Sequence, residues 1–463
     1  MLNSLLEWTV AASLVYLLGT YLVVIGALAI HLVTGGRDRR HQTEDLASLA
    51  VSRFTIPVSV LVPAFNEEHL IVASVQSLLD LNYPEFEVIV VSDGSADATM
   101  DRLRAAFDIK PKEVFYRKLL HTQPVRRIFR STRDARLTVV EKVHGGKADA
   151  LNCAVNLARY RYVCCVAADT VYDRDALLQT MPAAIQDPAT VIGVTSHVDV
   201  AIHPDSSESA RDVDRHVLSN FQHLERLRWL LNNRLVWSRL DFRLGSSRAF
   251  GIWRRDALLD VDGFATDLTG EEIDVSFRVQ EKFAKQQRPG RVIALAKLVG
   301  RTEAPDRLGR LIRQRARWQR VVWESVWRYR YMFANRRFGR VGSIGFPYFA
   351  VSQILSPLVQ LTALIAWPLA WWAGVLTGAE FLRLLGIVAF GSGIVTSVAI
   401  LLQEGSFRTH SLPRLVRLIF LGPLEPFLYR PAILFARLRG AWGFLRGDRS
   451  WDRIERNQPI RAA

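Results

Sequence analysis

Cysteine is scarce: Cys153, Cys164 and Cys165 are the only three in 463 residues. That is too few for a disulfide framework, and the three lie too close together for a zinc site. A reducing compartment fits such usage best. Charge is thin as well. Charged residues make up 23% and apolar ones 49%, with a mean hydropathy of +0.10, which excludes a disordered or strongly solvated chain. No internal repeat or low-complexity tract is visible. The spacing G-x-x-x-x-G-K-[ST] is missing too, which excludes a Walker-type phosphate loop. The length allows roughly two to three structural units.

What is in excess is arginine. Lys and Arg number 60 against 45 Asp and Glu, leaving +15. Between Arg307 and Arg340 eleven Arg face one acid, Glu324. From Gly405 onward eleven more face Glu425, Asp448, Asp452 and Glu455. A nucleic-acid binder carries such patches, but both stretches flank long uncharged runs, where excess Arg marks the cytoplasmic side of a membrane protein. The membrane reading wins, with no nucleic-acid partner.

Thr9 to Gly36 holds no Asp, Glu, Lys or Arg, and Val10–Val33 is nearly all apolar. That exceeds the ~20 residues needed to cross the hydrocarbon, and the leader lacks the basic start of a cleavable signal peptide. Arg37, Arg39 and Arg40 follow at once, which places the N-terminus outside. A second uncharged stretch, Val341 to Ala379, is interrupted by Pro347 and Pro357, predicting an interfacial segment and then a span near Pro357–Gly378. Glu380 and Arg383 form a short outer turn, and Leu384–Gln403 is the third span. Leu418–Phe435 contains Pro423, Glu425, Pro426, Arg430 and Pro431. Buried charge is costly at mid-bilayer, so a broken helical pair at the interface is expected there.

The middle, about Arg40 to Arg340, reads as one α/β domain. Val58–Val62, Glu87–Val91 and Tyr162–Ala167 are apolar strands, with helices around Leu70–Leu79 and Ala148–Tyr160. Polar residues follow each strand, and strand carboxyl ends are where doubly wound sheets bind nucleotides.

Each polar cluster has a bland and a functional reading. Asn66-Glu67-Glu68 is an acidic helix start or part of a nucleotide site at the strand end. Asp93 stands in an ordinary Asp-Gly turn with Asp97 as a helix cap, or it accepts from a base or ribose. His144-Gly145-Gly146-Lys147-Ala148-Asp149 combines a glycine pair, a lysine and a helix start, suited to a diphosphate. Asp169, just past an apolar strand, can bind Mg²⁺ or Mn²⁺, whereas Cys164 and Cys165 read as strand core. Glu271 and Glu272 open a helix, explained by its dipole or by a base aimed at a hydroxyl. Gln314, Arg317 and Trp318 lie on an amphipathic helix with Trp323 and Trp327, whose Arg heads suit lipid phosphates. Gln314 and Arg317, three apart, share one helical face.

In this order the motifs resemble the membrane-bound, inverting family 2 glycosyltransferases, which include cellulose, hyaluronan and poly-N-acetylglucosamine synthases. The resemblance runs from Pro57 through Trp451. It rests on Pro-x-x-Asn-Glu-Glu at Pro63, the Asp93 turn, Gly-Gly-Lys-Ala-Asp-Ala-Leu-Asn at 145–152 and Gln-x-x-Arg-Trp at 314–318. Thr302-Glu303-Ala304-Pro305 and Trp451-Asp452-Arg453 are similar to the bacterial polysaccharide-synthase branch.

The resemblance implies a GT-A fold, a mixed α/β nucleotide-sugar domain that uses UDP-linked donors with a divalent metal. It further implies donor contacts at Asn66, Glu67, Asp93, Lys147 and Asp149, and metal at Asp169. Glu272 would be the base with Glu271 before it, and Gln314, Arg317 and Trp318 the acceptor and diphosphate clamp. Two positions depart from the pattern. The first acid of Asp-x-Asp is Ala167, which weakens metal contacts, and the catalytic Asp is Glu272, one methylene longer.

The organisation expected is an anchor at 1–36, a cytoplasmic GT-A domain at 37–305, interface helices at 306–340 and a transmembrane and interfacial region at 341–463. The chain would sit in the inner membrane and build a β-linked polysaccharide, alone, as a homo-oligomer or with an accessory membrane subunit. Transfer of one sugar to a lipid and a non-catalytic nucleotide-binding relative are the alternatives.

Overall fold

The structure is a computed structural model describing residues 2–41, 55–185, 187–201, 217–232, 250–288, 290–303, 305, 307–407 and 412–447. The Trp451-Asp452-Arg453 tail lies outside the described residues, as does Ala304, and nothing is described of the Arg37, Arg39, Arg40 and Glu303 side chains.

The strands are β1 (Val58–Ala64), β2 (Phe86–Asp93), β3 (Ile109–Pro111), β4 (Val125–Ser131), β5 (Leu137–Lys142), β6 (Tyr162–Val166), β7 (Thr170–Tyr172), β8 (Val191–Ala201), β9 (Phe250–Arg254) and β10 (Arg291–Glu303). They form one mixed sheet in the order β3-β4-β5-β2-β1-β6-β9-β8-β10-β7. β5, β2, β1 and β6 run parallel, while β9 is antiparallel to β6 and β8. The parallel strands are the β-branched runs of the sequence, buried on both faces as such strands must be. Val60 and Val62 point into one core layer and Leu61 into the other, because successive side chains alternate. Cys164 and Cys165 divide in the same way and Cys153 joins the second layer. All three thiols are free and buried, and burial pushes Cys153 up to about 12. They are core, as expected.

Helices α1 (Leu2–His41), α2 (Ile71–Leu79), α3 (Thr99–Phe107), α4 (Lys147–Leu157), α5 (Ala176–Ile185), α6 (Val217–Asn232), α7 (Arg255–Leu259), α8 (Glu271–Lys285) and α9 (Leu308–Arg328) come before a long helical run, α10 (Val341–Trp372). α11 (Gly378–Phe407), α12 (Leu412–Leu421), α13 (Glu425–Leu428) and α14 (Arg430–Leu445) follow among the described residues.

Among the described residues three helices are long and apolar enough to cross a membrane: Leu2–Gly26, Val341–Trp372 and Gly378–Leu401. Leu6 and Val10 of α1 pack against Ala366, Trp367 and Ala370 of α10, and Trp367 Nε1 donates to Ser13 Oγ at 2.9 Å. The expected break at Pro347 and Pro357 does not occur. Each proline sits at the start of an α segment, just after a π-helical stretch, Val341–Gly345 or Val351–Leu355. A wider turn re-pairs the carbonyls that a proline strands, so the helix continues. The last apolar stretch is broken as expected, into α12, α13 and α14.

α6 went unread in the sequence, yet it fastens three parts of the molecule together. His223 Nδ1 lies 3.2 Å from Asp199 Oδ1 on β8. Glu225 Oε2 accepts from Arg315 of α9 at 2.6 Å and from Tyr429 Oη at 2.7 Å. Arg228 donates to Glu425 at 2.8 Å and to Ser392 Oγ of α11 at 2.7 Å, and Arg430 holds the second oxygen of Glu425 at 2.7 Å. Glu425 is therefore a buried charge with two partners, which is how such a charge persists.

Candidate active site

The strand carboxyl ends of β1, β2 and β6 meet the N-termini of α4 and α8. The Asn66–Glu68 turn is laced to the loop after β2. Asn66 Oδ1 accepts from the Ala96 N–H at 2.9 Å, and the Glu67 N–H donates to Thr99 Oγ1 at 2.8 Å. Glu68 Oε2 accepts from the Ala98 N–H at 3.0 Å. Asp97, one residue before Ala98, which stands at the cap position of α3, takes the Thr99 N–H at 3.0 Å.

Asp93 is deeply engaged. Lys142 Nζ lies 2.5 Å from its Oδ1, and the Gly145 and Gly146 N–H groups donate to its two oxygens at 3.0 and 2.7 Å. The same Lys142 ammonium sits 2.5 Å from Asp149 Oδ1, and its side chain is fully buried. Sequence reading passed over Lys142. The signal was there, because a lysine closing an apolar strand has to find acids. The expected cradle is altered accordingly. The Gly145 and Gly146 N–H groups hold Asp93 rather than standing open to a phosphate.

Lys147 Nζ lies 2.8 Å from Glu271 Oε1 and 2.6 Å from Glu272 Oε1. Burial works against its charge, but the two carboxylates outweigh burial and hold the amine above the usual lysine range. Both acids are buried, in the first turn of α8, where the helix dipole favours them. Asp274, two residues on, is spoken for structurally by Arg278 Nε at 2.6 Å and Tyr329 Oη at 2.5 Å.

Asp169 Oδ1 lies 3.2 Å from Thr170 Oγ1 and 3.5 Å from Thr302 Oγ1. Among the described residues no group of three or more His, Cys, Asp and Glu side chains is placed to hold a metal. Gln314, Arg317 and Trp318 are half-buried on α9, and the Arg315 guanidinium stacks 4.2 Å over the Trp318 ring. Farther along the helix, Val321 and Glu324 meet Gly270 and Thr269. Thus Lys147, Glu271 and Glu272 form one cluster, and Asp93 and Asp149 a second one around Lys142.

Residues 59–241 match the model of Glycosyl transferase family 2, and residues 162–384 that of Glycosyl transferase family group 2. A poly-beta-1,6-N-acetyl-D-glucosamine synthase of Staphylococcus epidermidis is 24% identical over 306 residues, 64% of either chain. The corresponding synthase of Staphylococcus aureus is 24% identical over 262 residues, 56% of this chain and 53% of its own. The chain thus spans between half and two thirds of the length of these curated relatives. A mannosyltransferase of Pyrobaculum calidifontis, solved in complex with GDP-Man and Mn²⁺, shares the fold with a TM-score of 0.51 and 19% identity, over 96% of this chain and 99% of that one. With the mixed GT-A sheet in place and family matches running from 59 to 384, the chain carries the glycosyltransferase family 2 domain and is similar to polysaccharide synthases.

Proposed function

We propose that the protein transfers a sugar, with inversion, from a UDP-linked donor to a growing β-linked polysaccharide at the inner face of the membrane. The observation that carries this reading is the Lys147–Glu271–Glu272 cluster, which puts a base and a cation for the leaving group side by side. An ammonium has three N–H donors. Two serve the carboxylates and the third can reach a diphosphate oxygen. Glu272 takes the acceptor hydroxyl proton, and the freed oxygen bonds to the anomeric carbon as the bond to the diphosphate breaks on the opposite face. Lys147, with Arg317 of α9, stabilises the charge left on the diphosphate.

Asp169 and its threonine hydroxyls are hard oxygen ligands. One carboxylate plus donor phosphates is a set that Mg²⁺ accepts, and Mn²⁺ also favours carboxylate oxygen, so the residues fit a donor-bound metal even with Ala167 in place of the first acid. When bound, the ion neutralises diphosphate charge. The three apolar helices and the Arg-rich flanks support an inner-membrane protein with residues 37–305 in the cytoplasm, where nucleotide sugars are made. The anchor, the interface helices at 306–340 and the C-terminal membrane region complete that arrangement.

The test is a donor panel of UDP-glucose, UDP-glucuronate, UDP-N-acetylglucosamine and GDP-mannose, given to purified protein with membrane lipids. Product retained on size exclusion supports the polymer, whereas label extracted into organic solvent assigns a lipid acceptor. Glu272→Gln should lower turnover by ~10²–10⁴-fold. Near-normal turnover with unchanged UDP binding removes Glu272 from the role of base.

A further inference from the structure

Glu324 is the single acid among eleven arginines between Arg307 and Arg340. Its Oε2 accepts a hydrogen bond from Thr269 Oγ1 at 2.6 Å, and Thr269 stands two residues before Glu271. Gly270, between them, lies so close to α9 that a Cβ there would fall 2.1 Å from Val321 Cγ1. Two more ties bracket the same turn. Arg328 Nη1 donates to Asp267 Oδ2 at 2.8 Å, and Tyr329 Oη donates to Asp274 Oδ1 at 2.5 Å. Ile273 and Phe277 of α8 share an apolar cluster with Val321 and Tyr329. The start of α8 is thus gripped before and after Glu271–Glu272 by one helix and the residue that ends it.

We propose that α9 is the positioning element for the Glu272 carboxylate and that the Thr269–Glu324 hydrogen bond is its adjustable tie. The inference rests on the reading of Glu272 as base. Gln314, Arg317 and Trp318 lie on the same rigid helix, Trp318 only about 9 Å before Glu324 at 1.5 Å per residue. Whatever seats that helix also sets the base. A carboxylate misplaced by about 1 Å costs ~10²-fold in rate, so breaking the tie lowers kcat and leaves donor binding alone.

The experiment uses the full-length protein with the fastest donor of the panel. Thr269→Val removes the hydroxyl at constant shape, Thr269→Ser keeps it, and Glu324→Leu removes the acceptor. Thr269→Ala replaces the valine variant if that loses the native Tm. Expected is a ~10–100-fold fall in kcat for Thr269→Val, with donor KM and UDP affinity by calorimetry within twofold. Thr269→Ser should restore kcat, and Thr269→Val with Glu324→Leu should fall little below either single variant. A kcat within twofold of wild type for Thr269→Val, or no rescue by serine, overturns the proposal. Glu272→Gln is measured in parallel. If it is inactive while Thr269→Val is normal, the tie is refuted and the base reading stands; if Glu272→Gln turns over normally, both fall.

Discussion

Lys147 Nζ sits 2.6 Å from Glu272 Oε1, across 125 residues of sequence, and reaches Glu271 from the same position. One ammonium balances two neighbouring carboxylates beside the strand ends. Lys147→Met keeps the length of the side chain and removes that charge. UDP affinity should fall about tenfold or more, the worth of a charge-assisted hydrogen bond. Calorimetry with UDP decides it, and unchanged affinity counts against a diphosphate contact.

Lys142 is the more severe loss. Its side chain is fully buried between Asp93 and Asp149. Lys142→Met leaves two buried acids without their cation, and removing one partner of such a set costs about 3–5 kcal/mol. Thermal unfolding should move down by roughly 6–20 °C. A Tm within a degree or two of wild type would mean the two acids find other partners.

The seat of α9 depends on Gly440. A Cβ there would lie 2.3 Å from the Ala316 carbonyl oxygen, so the helices cross backbone to backbone. Gly440→Val must part them, at about 1–3 kcal/mol for overpacking. Turnover and Tm should fall together. A fully active valine variant would show that the crossing is not needed for catalysis.

Acid should weaken the junction between α6 and the sheet. Burial pushes His197 down to about 4; Asp199 opposes this and Arg226 adds to it. The unfolded chain takes up that proton near 6.5 and the folded one only near 4, so stability is lost as pH falls through that window. Asp199 is held below the usual carboxylate range, its burial outweighed by His223, and so costs stability in the same direction at still lower pH. At pH 5 the His197 loss is on the order of 2 kcal/mol. Unfolding followed at pH 7.5 and 5.0 should show it, and His197→Gln should shrink the difference.

Orientation is checked with single cysteines in a cysteine-free background. Ala379, exposed at the start of the third apolar helix, should react with an impermeant maleimide on intact cells. Arg126, exposed on β4, should react only after lysis. The reverse pattern would overturn both the topology and the cytoplasmic donor supply.

Strand runs such as Val58–Val62, the three apolar helices and the order of the motifs were legible because hydrophobic periodicity and span length are local properties. The continuity of α10 was not, since a π turn beside a proline depends on how neighbouring carbonyls are re-paired. The wiring of the site was also hidden. Glycines 145 and 146 looked open to a phosphate until Asp93 was found on their N–H groups, and Lys142 carried no motif.

By itself, then, the sequence determined the sheet-forming segments, the family and the residues from which an active site could be drawn. Only the tertiary structure decided which charges pair: Lys147 with Glu271 and Glu272, Lys142 with Asp93 and Asp149, Glu225 with Arg315, Arg228 with Glu425. A buried charge takes whichever opposite charge the packing brings within reach. That meeting is set by how helices cross and sheets stack, over separations that no local pattern records.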